Sequence, residues 1–212
     1  MQEEGGAPTK RQRPESVEIR LLIPSKCAGS VIGKGGENIR RLRSQYNSSV
    51  NVPDSNAPER ILSIGGGLED VLGVLKEVLP KFHDSPELKT AEGALDVRML
   101  VHNSHAGVVI GKAGGKIKEI REQTGTSLTV YKETCPNSSD RVCQIVGTTD
   151  QVMSAVEAIT HLLADVAIKG PNKPFDTMHS GGALDYGGFA PGGPPGAKGG
   201  RGPPMGGGPY GQ

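Results

Sequence analysis

The chain has 212 residues, and its 24 Lys and Arg against 23 Asp and Glu give a formal net charge of +1. Hydrophobic residues make up 34% and aromatic residues 3%, with no Trp, which is a low apolar content for one globular unit of this length. Because the sequence has no long apolar run, no secretory signal and three cysteines without metal-ligand spacing, we expect neither a membrane protein, nor a secreted disulfide scaffold, nor a zinc protein.

The first predicted element is a strand that begins at Val17, since the residues before it are polar and show no apolar periodicity. Alternating apolar and polar residues predict strands, and apolar residues at spacings of three and four predict helices. The first part of the chain is therefore predicted as strand, short helix, glycine loop, helix, two strands and a long helix, over residues 17–23, 27–32, 33–36, 39–46, 49–52, 60–64 and 68–82.

The same order of elements then occurs a second time. Ala28-Gly-Ser-Val-Ile-Gly-Lys-Gly-Gly36 matches Ala106-Gly-Val-Val-Ile-Gly-Lys-Ala-Gly114 at an offset of 78 residues, and the register changes only between the last two strands. The second copy is predicted over residues 95–101, 104–110, 111–114, 115–124, 127–132, 141–146 and 149–166. The order βααββα, found twice, predicts an α+β fold in which each copy has a small sheet with helices on one face.

The end of the chain has a different composition. Residues 170–212 hold 15 Gly and 8 Pro, which is typical of low-complexity segments without a fixed fold. We therefore expect folded units at 16–83 and 95–167, a linker at 84–94, and disordered ends at 1–15 and 168–212. Two alternatives are open for the linker: a flexible tether between independent units, or a fixed connection between units that pack together.

The loop between the first two helices of each copy has the pattern Gly-x-x-Gly with a lysine at its second position. Gly33 and Gly36 allow positive φ and a close approach of the backbone to another group. Gly36 precedes a helix, whose free N–H groups and dipole favour an anion, and Lys34 adds a cation, as Lys112 does in the second copy. The loop is predicted to bind a backbone phosphate; the alternative is a tight helix–helix turn that needs glycine only for steric reasons.

Other phosphate-binding loops do not fit this spacing. A Walker A loop has four residues between its glycines and Ser or Thr after the lysine, whereas three residues separate Gly29 from Gly33, and Gly35 follows Lys34. The dinucleotide-binding fingerprint requires glycine where the chain has Asn38. Since no triad, carboxylate pair or metal cluster repeats either, we expect no enzyme activity, no cofactor and no bound metal.

Both copies resemble the signature of KH domains, in Val31-Ile-Gly-Lys-Gly-Gly-Glu-Asn-Ile39 and Val109-Ile-Gly-Lys-Ala-Gly-Gly-Lys-Ile117, and βααββα is the order of the eukaryotic type. The resemblance covers about 145 residues. It implies two tandem type I KH domains, each with a three-stranded antiparallel sheet and helices on one face. The segments similar to the heterogeneous nuclear ribonucleoprotein K and poly(C)-binding protein family are Ser25–Gly36, Val52–Ile64, Ile168–Gly170 and Asp185–Phe189.

This resemblance implies a groove that holds about four nucleotides of C-rich single-stranded RNA or DNA and clamps their backbone with the Gly-x-x-Gly loop. The base-reading candidates are arginines that occur in both copies: Arg43, Arg121, Arg60 and Arg141. A guanidinium is suited to this role because it is a fork of donors, and cytosine offers the acceptors O2 and N3. The alternative for such an arginine is an exposed ion pair, for example with the neighbouring Glu59 or Asp140.

The predicted nucleic-acid-binding residues are the two loops, these arginines and nearby basic residues: Gly33, Lys34, Gly35, Gly36, Arg40, Arg43, Arg60, Gly111, Lys112, Ala113, Gly114, Lys118, Arg121 and Arg141. The predicted groove floor is aliphatic, although each of its residues also fits the core: Val31, Ile32, Ile39, Val50, Val52, Val109, Ile110, Ile117, Leu128 and Val130. The second copy has a net charge of −1 against +2 for the first and has Gly115 in place of Glu37, so we expect it to be the weaker binder.

The resemblance further implies a nuclear protein that also shuttles to the cytoplasm and acts in post-transcriptional regulation such as splicing, mRNA stability or translation. A second hypothesis makes the chain a protein-interaction scaffold, in which the KH domains are structural and the tail captures partners. Pro171-x-x-Pro174 and Pro191-x-x-Pro194 fit the spacing of SH3 ligands, and Lys10-Arg-Gln-Arg13 is a weak candidate for a nuclear import signal.

Overall fold

The computed structural model describes residues 16–180 and 183–189. The first unit contains β1 (Ser16–Pro24), α1 (Ser25–Ile32), α2 (Glu37–Gln45), β2 (Ser49–Asn51), β3 (Glu59–Gly67) and α3 (Leu68–Val78). The second unit contains β4 (Leu95–His102), α4 (Asn103–Ile110), α5 (Gly115–Thr124), β5 (Ser127–Thr134), β6 (Asp140–Gly147) and α6 (Thr149–Ala164). A short helix, α7 (Thr177–Ser180), follows.

Both units confirm the predicted α+β fold: each has the order βααββα and three antiparallel strands. Most boundaries lie within two residues of the prediction, and two differ by more. β3 continues through three glycines to Gly67, because those glycines pair with the start of β1. α3 ends at Val78, since Pro80 has no N–H to continue the helix, and a 3-10 turn follows over Leu79–Asp84.

The sheets of the two units join into one six-stranded antiparallel sheet with the strand order β2-β3-β1-β4-β6-β5. The join is a short ladder between β1 and β4, in which Leu21 lies opposite Met99 and Leu22 opposite Arg98. We call this join the seam. Because β1 and β4 are the inner edges of the two small sheets, their pairing leaves only β2 and β5 as edges of the six-stranded sheet that the described residues form.

The connection between the two units packs with them. The side chains of Phe82 and Leu88 are fully buried, and Lys89 forms an isolated bridge with Leu95 at the start of β4. Of the two alternatives for the linker, the structure therefore shows the fixed connection between packed units.

The main core lies between the sheet and the helices and runs through both units. Along β1, the alternate residues Ile19, Leu21 and Ile23 face the helices and are at most 1% exposed. The last helix of each unit contributes to the same cluster, for example through Val74 of α3 and Val156 of α6. Each fully buried aliphatic side chain of this kind stabilises the fold by about 1.5–3 kcal/mol. Because side chains from both units belong to one cluster, the two units share a single hydrophobic core.

The opposite face of the sheet is covered by residues that follow α6. Phe175 and Ala183 pack in a second apolar cluster with Leu22, Leu100 and Val142 of the strands. The expectation of disorder from residue 168 onwards is therefore wrong for residues 168–180 and 183–189. The composition of this segment is typical of disorder, but strand side chains from both units supply the apolar surface and the hydrogen-bond partners that hold it.

The first predicted SH3 motif belongs to this covered region. The carbonyl of Pro171 accepts a hydrogen bond from His102 Nε2 at 2.9 Å. The backbone of Lys173 exchanges hydrogen bonds with Ser139, whose N–H donates to the Lys173 carbonyl while the Lys173 N–H donates to Ser139 Oγ, both at 2.8 Å. These backbone groups are engaged within the chain while residues 171–174 stay exposed, and the SH3 ligand at Pro171–Pro174 remains a prediction.

Other predictions for the chain ends fall outside the described residues, namely those for Lys10–Arg13 and Pro191–Pro194. Across the described ranges, no helix is both long and apolar enough to span a bilayer. The same ranges hold no cluster of His, Cys, Asp and Glu suited to a metal ion.

The cysteines are free and buried, and burial raises the pKa of Cys135 and Cys143 to about 12, so both are neutral thiols at pH 7.

A polar contact between α2 and α3 generates a pH-dependent prediction. Glu77 accepts hydrogen bonds from Arg41 Nη2 at 2.5 Å and from Tyr46 Oη at 2.6 Å, and these donors lower the pKa of its carboxyl group. A lowered pKa contributes stability above the ordinary pKa of Glu, and this contribution is lost as the pH falls through the lowered value. We expect Glu77→Gln to lower the free energy of unfolding at pH 7, and the difference from the unaltered chain to shrink below about pH 4.5.

Urea unfolding followed by circular dichroism over a pH series measures this difference. The exposed carboxylate of Glu92 lies in a turn, and Glu92→Gln is the matched control, which should leave the unfolding free energy nearly unchanged at each pH. A difference for Glu77→Gln that stays constant down to pH 3 would contradict the electrostatic explanation.

Candidate nucleic-acid interface

The Gly-x-x-Gly loop of the first unit has three residues with positive φ and requires glycine at the first of them. Gly33, Gly35 and Gly36 have φ values of +76°, +60° and +78°. A Cβ atom at Gly33 would lie 2.6 Å from the Cβ of Asn38, so any other residue would clash there. Asn38 also donates from Nδ2 to the carbonyl of Val31 at 2.7 Å, which ties the start of α2 to the end of α1.

The loop of the second unit has the same shape with one informative difference. Gly111 and Gly114 have φ values of +72° and +75°, and Ala113 adopts a φ of +52° where the first loop has Gly35. A Cβ atom at Gly35 would meet open space. The third loop position therefore tolerates a side chain, whereas a Cβ at Gly111 would lie 2.5 Å from the Cβ of Lys116 and is excluded.

Both loops present their tips to solvent. Lys34, Gly35, Lys112 and Ala113 are exposed. Among the described residues, no side chain caps the N-terminus of α2 or of α5, so the positive dipole end of each helix stays uncapped at the loop. The N–H groups of Glu37 and Gly115, the first residues of these helices, donate to the carbonyls of Lys34 and Lys112 within the loops. A cap from a neighbouring side chain, or burial against the other unit, would have excluded a phosphate, and within the described ranges neither loop has such an arrangement.

Arg40 adds a second positive charge to the first loop. Its Nε donates to the carbonyl of Gly36 at 3.2 Å, and its Nη2 donates to the carbonyl of Gly35. The guanidinium is thereby fixed beside the loop while it stays exposed. Lys118, on the exposed side of α5, lies 3.9 Å from Glu122, a weak ion pair at the surface.

Arg43 and Arg121 occupy the same position in the two units and are held in the same way. Arg43 Nε donates to the carbonyl of Val50 at 2.7 Å, and Arg121 Nε donates to the carbonyl of Leu128 at 2.8 Å; Arg121 Nη2 donates to the Leu128 carbonyl as well. Val50 and Leu128 are themselves equivalent in the repeat. Each bond fixes a guanidinium between the second helix and the second strand of its unit, and both arginines are exposed. In Arg43 the donated proton comes from Nε, so its Nη groups remain available to a ligand.

The other arginine pair is less alike. Arg141 donates from Nε to the carbonyl of Tyr131 at 2.6 Å and from Nη1 to Asn103 Oδ1 at 3.4 Å, so it connects β5 with the first residue of α4. Partial burial lowers the pKa of Arg141 from its usual value. Arg60 instead forms an ion pair with the exposed Asp54 at 3.1 Å, and its Nε is buried without a partner among the described residues.

Arg60 therefore forms an ion pair, as the alternative predicted, but its partner is Asp54 and not the neighbouring Glu59. Glu59 and Asp140, which precede the two arginines in sequence, are 0% exposed. They lie on the sheet face that is opposite to the helices, where they bind backbone N–H groups of the segment after α6. Since successive strand residues point to opposite faces, the residue before each arginine cannot share its side.

The predicted groove floor is mostly core. Val31, Val109 and Leu128 are 0% exposed and Val50 is 1% exposed, so these four side chains have no surface for a ligand and the prediction is wrong for them. Three floor residues keep 7–8% of their surface: Ile39, Val52 and Ile117. Three are half-buried and border the loops and β5: Ile32, Ile110 and Val130. Of the predicted floor, these three half-buried residues offer the most apolar surface to a ligand. Two of them, Ile32 and Ile110, are the last residues of α1 and α4.

Sequence reasoning missed the polar residue that begins the first helix of each unit. Ser25 Oγ donates to the carbonyl of Ala57, and Asn103 Oδ1 accepts from Arg141, so each fixes the loop or strand on the far side of the cleft. Ser25 and Asn103 are equivalent in the repeat. A polar residue at the same place in both copies was the signal that would have found them. Asn38 gives no such signal, because Lys116 replaces it in the second copy.

Among solved structures, the chain is similar to Dim2p from Pyrococcus horikoshii OT3, with 22% identity, coverage of 72% of this chain and 93% of that chain, and a TM-score of 0.28. It is similar to a complex of a/eIF2alpha, aDim2p and rRNA from the same organism, with 20% identity, coverage of 72% and 88%, and a TM-score of 0.26. A structure described as KH domains matches with 12% identity, coverage of 73% and 66%, and a TM-score of 0.32. At these identities and TM-scores, the ligands of these proteins say nothing about the ligand of this chain.

The comparison with family models is decisive for the family. The model of the KH domain matches residues 18–79 and 96–161, which together exceed half of the chain. Each match includes one Gly-x-x-Gly loop and runs from the first strand into the last helix of one unit. The chain therefore belongs to the KH-domain family and contains two KH domains.

Proposed function

We propose that this chain binds C-rich single-stranded RNA, or single-stranded DNA of the same sequence, through both KH clefts, and that it acts in post-transcriptional regulation in the nucleus. The family gives the coarser part of this function, because KH domains are non-enzymatic domains that bind single-stranded nucleic acid. The preference for cytosine rests on the resemblance of both copies and their arginines to the family of heterogeneous nuclear ribonucleoprotein K and the poly(C)-binding proteins.

The observation that supports the proposal best is the duplicated pairing of loop and arginine. In each domain an exposed, uncapped loop with a lysine stands at the start of the second helix, and an arginine anchored to the second strand stands near its end. The loop offers N–H groups and charge to a phosphate, and the arginine offers oriented donors to a base edge. A backbone clamp and a base reader at opposite ends of one helix suit a short single strand that lies along it.

The scaffold alternative is weaker for the part of the tail that the structure describes. Phe175 and Ala183 of this segment pack on the sheet of their own chain, and the N–H of Ala183 binds Glu59, so these residues are occupied within the chain. The remaining tail residues lie outside the described ranges. Binding of homopolymers distinguishes the two functions, since the scaffold function predicts little affinity for any oligonucleotide and ours predicts C over U, A and G.

The loop lysines generate the first binding prediction. A lysine that neutralises one phosphate of a single strand adds about 0.7 to the magnitude of the slope of log K against log salt, because counterions are released. We expect Lys34→Ala and Lys112→Ala each to reduce the slope for a C-rich oligonucleotide by about this amount. Lys76→Ala is the matched control, because Lys76 is exposed on α3, away from both loops, and should leave the slope unchanged.

Fluorescence anisotropy over a salt series measures these slopes. Equal slopes for Lys34→Ala and Lys76→Ala would show that the lysine of the loop does not touch a phosphate, and the clamp would then have to be abandoned.

Arg43 generates a prediction about base preference. Lysine at this position cannot both bind the Val50 carbonyl and present a fork of donors to cytosine. We expect Arg43→Lys to lower the ratio of the affinity for oligo(C) to that for oligo(U) by about tenfold, which is the discrimination that the hydrogen bonds of one side chain to a base edge provide. Binding to oligo(U) should change little. Arg41→Lys is the matched control: Arg41 lies on the same helix but pairs with Glu77 of α3. A C to U ratio that is the same in both variants would show that Arg43 does not read the base.

A further inference from the structure

The segment after α6 crosses the seam between the two domains. We call residues 168–180 and 183–189 the strap; it begins beside α4, where the Lys169 N–H donates to Ser104, and its apolar anchors Phe175 and Ala183 lie on the sheet face that is opposite to the helices. Its first part binds the second domain through Pro171 and Lys173. At Phe175 the backbone N–H donates to Asp140 Oδ2 at 2.7 Å.

Asp140 also joins the strap to the first domain. Its two carboxylate oxygens accept from Arg20, at 2.5 Å from Nη1 and 2.8 Å from Nη2. Arg20 lies on β1 of the first domain and Asp140 begins β6 of the second, so this bidentate pair spans the seam. The carboxylate is 0% exposed, and a buried charge of this kind is tolerated only when it keeps all its partners.

The second part of the strap sits between one charged residue from each domain. Glu59 of the first domain accepts hydrogen bonds from the N–H groups of Ala183, at 2.9 Å, and of Phe189. Arg98 of the second domain donates to the carbonyls of Gly187, at 2.8 Å, and of Gly188. The Arg98 guanidinium also lies 4.0 Å from the centre of the Phe189 ring. The strap thus links Glu59 to Arg98 across the seam.

The strap also covers apolar surface from both domains. Leu22 of β1 is 0% exposed and Leu100 of β4 is 3% exposed, and both pack with Phe175. The direct ladder between β1 and β4 contains only the pairs Leu21–Met99 and Leu22–Arg98 within the described ranges. Because this ladder is short, the strap adds to the resistance against opening that the shared core on the other face of the sheet provides.

We propose that the strap holds the two KH clefts at one separation and orientation, and that it thereby selects nucleic acids in which two C-rich patches lie a defined distance apart. This inference rests on the proposed function. Two rigidly connected sites favour the spacer that fits their span, whereas two sites on a loosened connection accept many spacers at a lower effective concentration. The strap residues therefore determine spacing specificity without contact to the ligand.

The test uses the full chain with the double substitution Phe175→Ser and Phe189→Ser. Both side chains are at most 5% exposed and lie in contact with the sheet or with Arg98. The matched control is Met178→Ser with Leu184→Ser, which removes two apolar side chains from the same segment that are 63% and 52% exposed. The probes are RNAs with two cytidine patches separated by uridine spacers of increasing length, together with an RNA that has a single patch.

We expect the unaltered chain and the control to bind most tightly at one spacer length. The Phe175→Ser/Phe189→Ser chain should lose about tenfold at that length and show a flat profile, while its affinity for a single patch stays the same. If no chain binds a single patch, the proposed function fails and the inference fails with it. If single patches bind and the spacer profiles coincide, only the inference is overturned.

Cys135 reports independently on the strap. It is 1% exposed and lies in the cluster that Phe175 covers, whereas Cys27 and Cys143 belong to other parts of the structure. We expect a thiol reagent to label Cys135 faster in Phe175→Ser/Phe189→Ser than in Met178→Ser/Leu184→Ser, as mass spectrometry of the peptides will show. Cys27 and Cys143 should stay protected in both chains, which demonstrates that the domains remain folded. Equal protection of Cys135 in both double variants would overturn the inference, because the strap would then not depend on its apolar contacts.

Discussion

The antiparallel pairing of β1 with β4 is the constraint on which the rest of the structure depends. Each KH domain alone would expose one of these strands as a sheet edge, with unpaired N–H and C=O groups. Their pairing removes both inner edges and makes one sheet with helices on one side. It also places charged residues beside the seam: Glu59, Asp96, Arg98 and Asp140 are buried, and Arg20 keeps 18% of its side chain exposed. Arg98 has an ion-pair partner in its own domain, Asp96 at 3.2 Å, whereas Asp140 and Glu59 find their partners in the opposite domain and the strap.

The elements close to each loop were predictable because their causes are local. Periodicity gave the order βααββα, and the repeat distinguished Gly33 and Gly36 from glycines without a role. The repeat also identified Arg43 and Arg121, which the structure holds in the same way. Even a substitution in the repeat agrees with local physics, since Asn47 and its counterpart Gly125 both have positive φ, and Asn is the residue that best replaces Gly there. What could not be predicted locally is how deep a floor residue such as Val31 lies, because burial depends on the whole core.

The strap was not predictable from composition, and the reason is physical. A segment rich in Gly and Pro has too few apolar side chains to form a core of its own, so composition correctly indicates that it does not fold alone. The strap instead completes a surface built by two other domains, and only a few anchors such as Phe175 and Phe189 are needed for that. One signal was present in the sequence. Arg20 matches Arg98, and Glu59 matches Asp140, so both copies carry an unexplained acid and base at equivalent strand positions.

These matched charges also explain why one strap serves two domains. If the domains met as an exact symmetric pair, Arg98 would contact Glu59 just as Arg20 contacts Asp140. The chain instead separates Arg98 from Glu59 and places the backbone of residues 183–189 between them, where the acid binds N–H groups and the base binds carbonyls. Burial raises the pKa of Glu59, whereas the N–H donors of the strap lower it, so the strap makes the buried charge less costly. Two equivalent pairs of residues thus differ in their contacts: Arg20 binds Asp140 directly, whereas Arg98 and Glu59 are connected through the strap. The second connection makes the geometry of the two clefts depend on the segment that follows the domains.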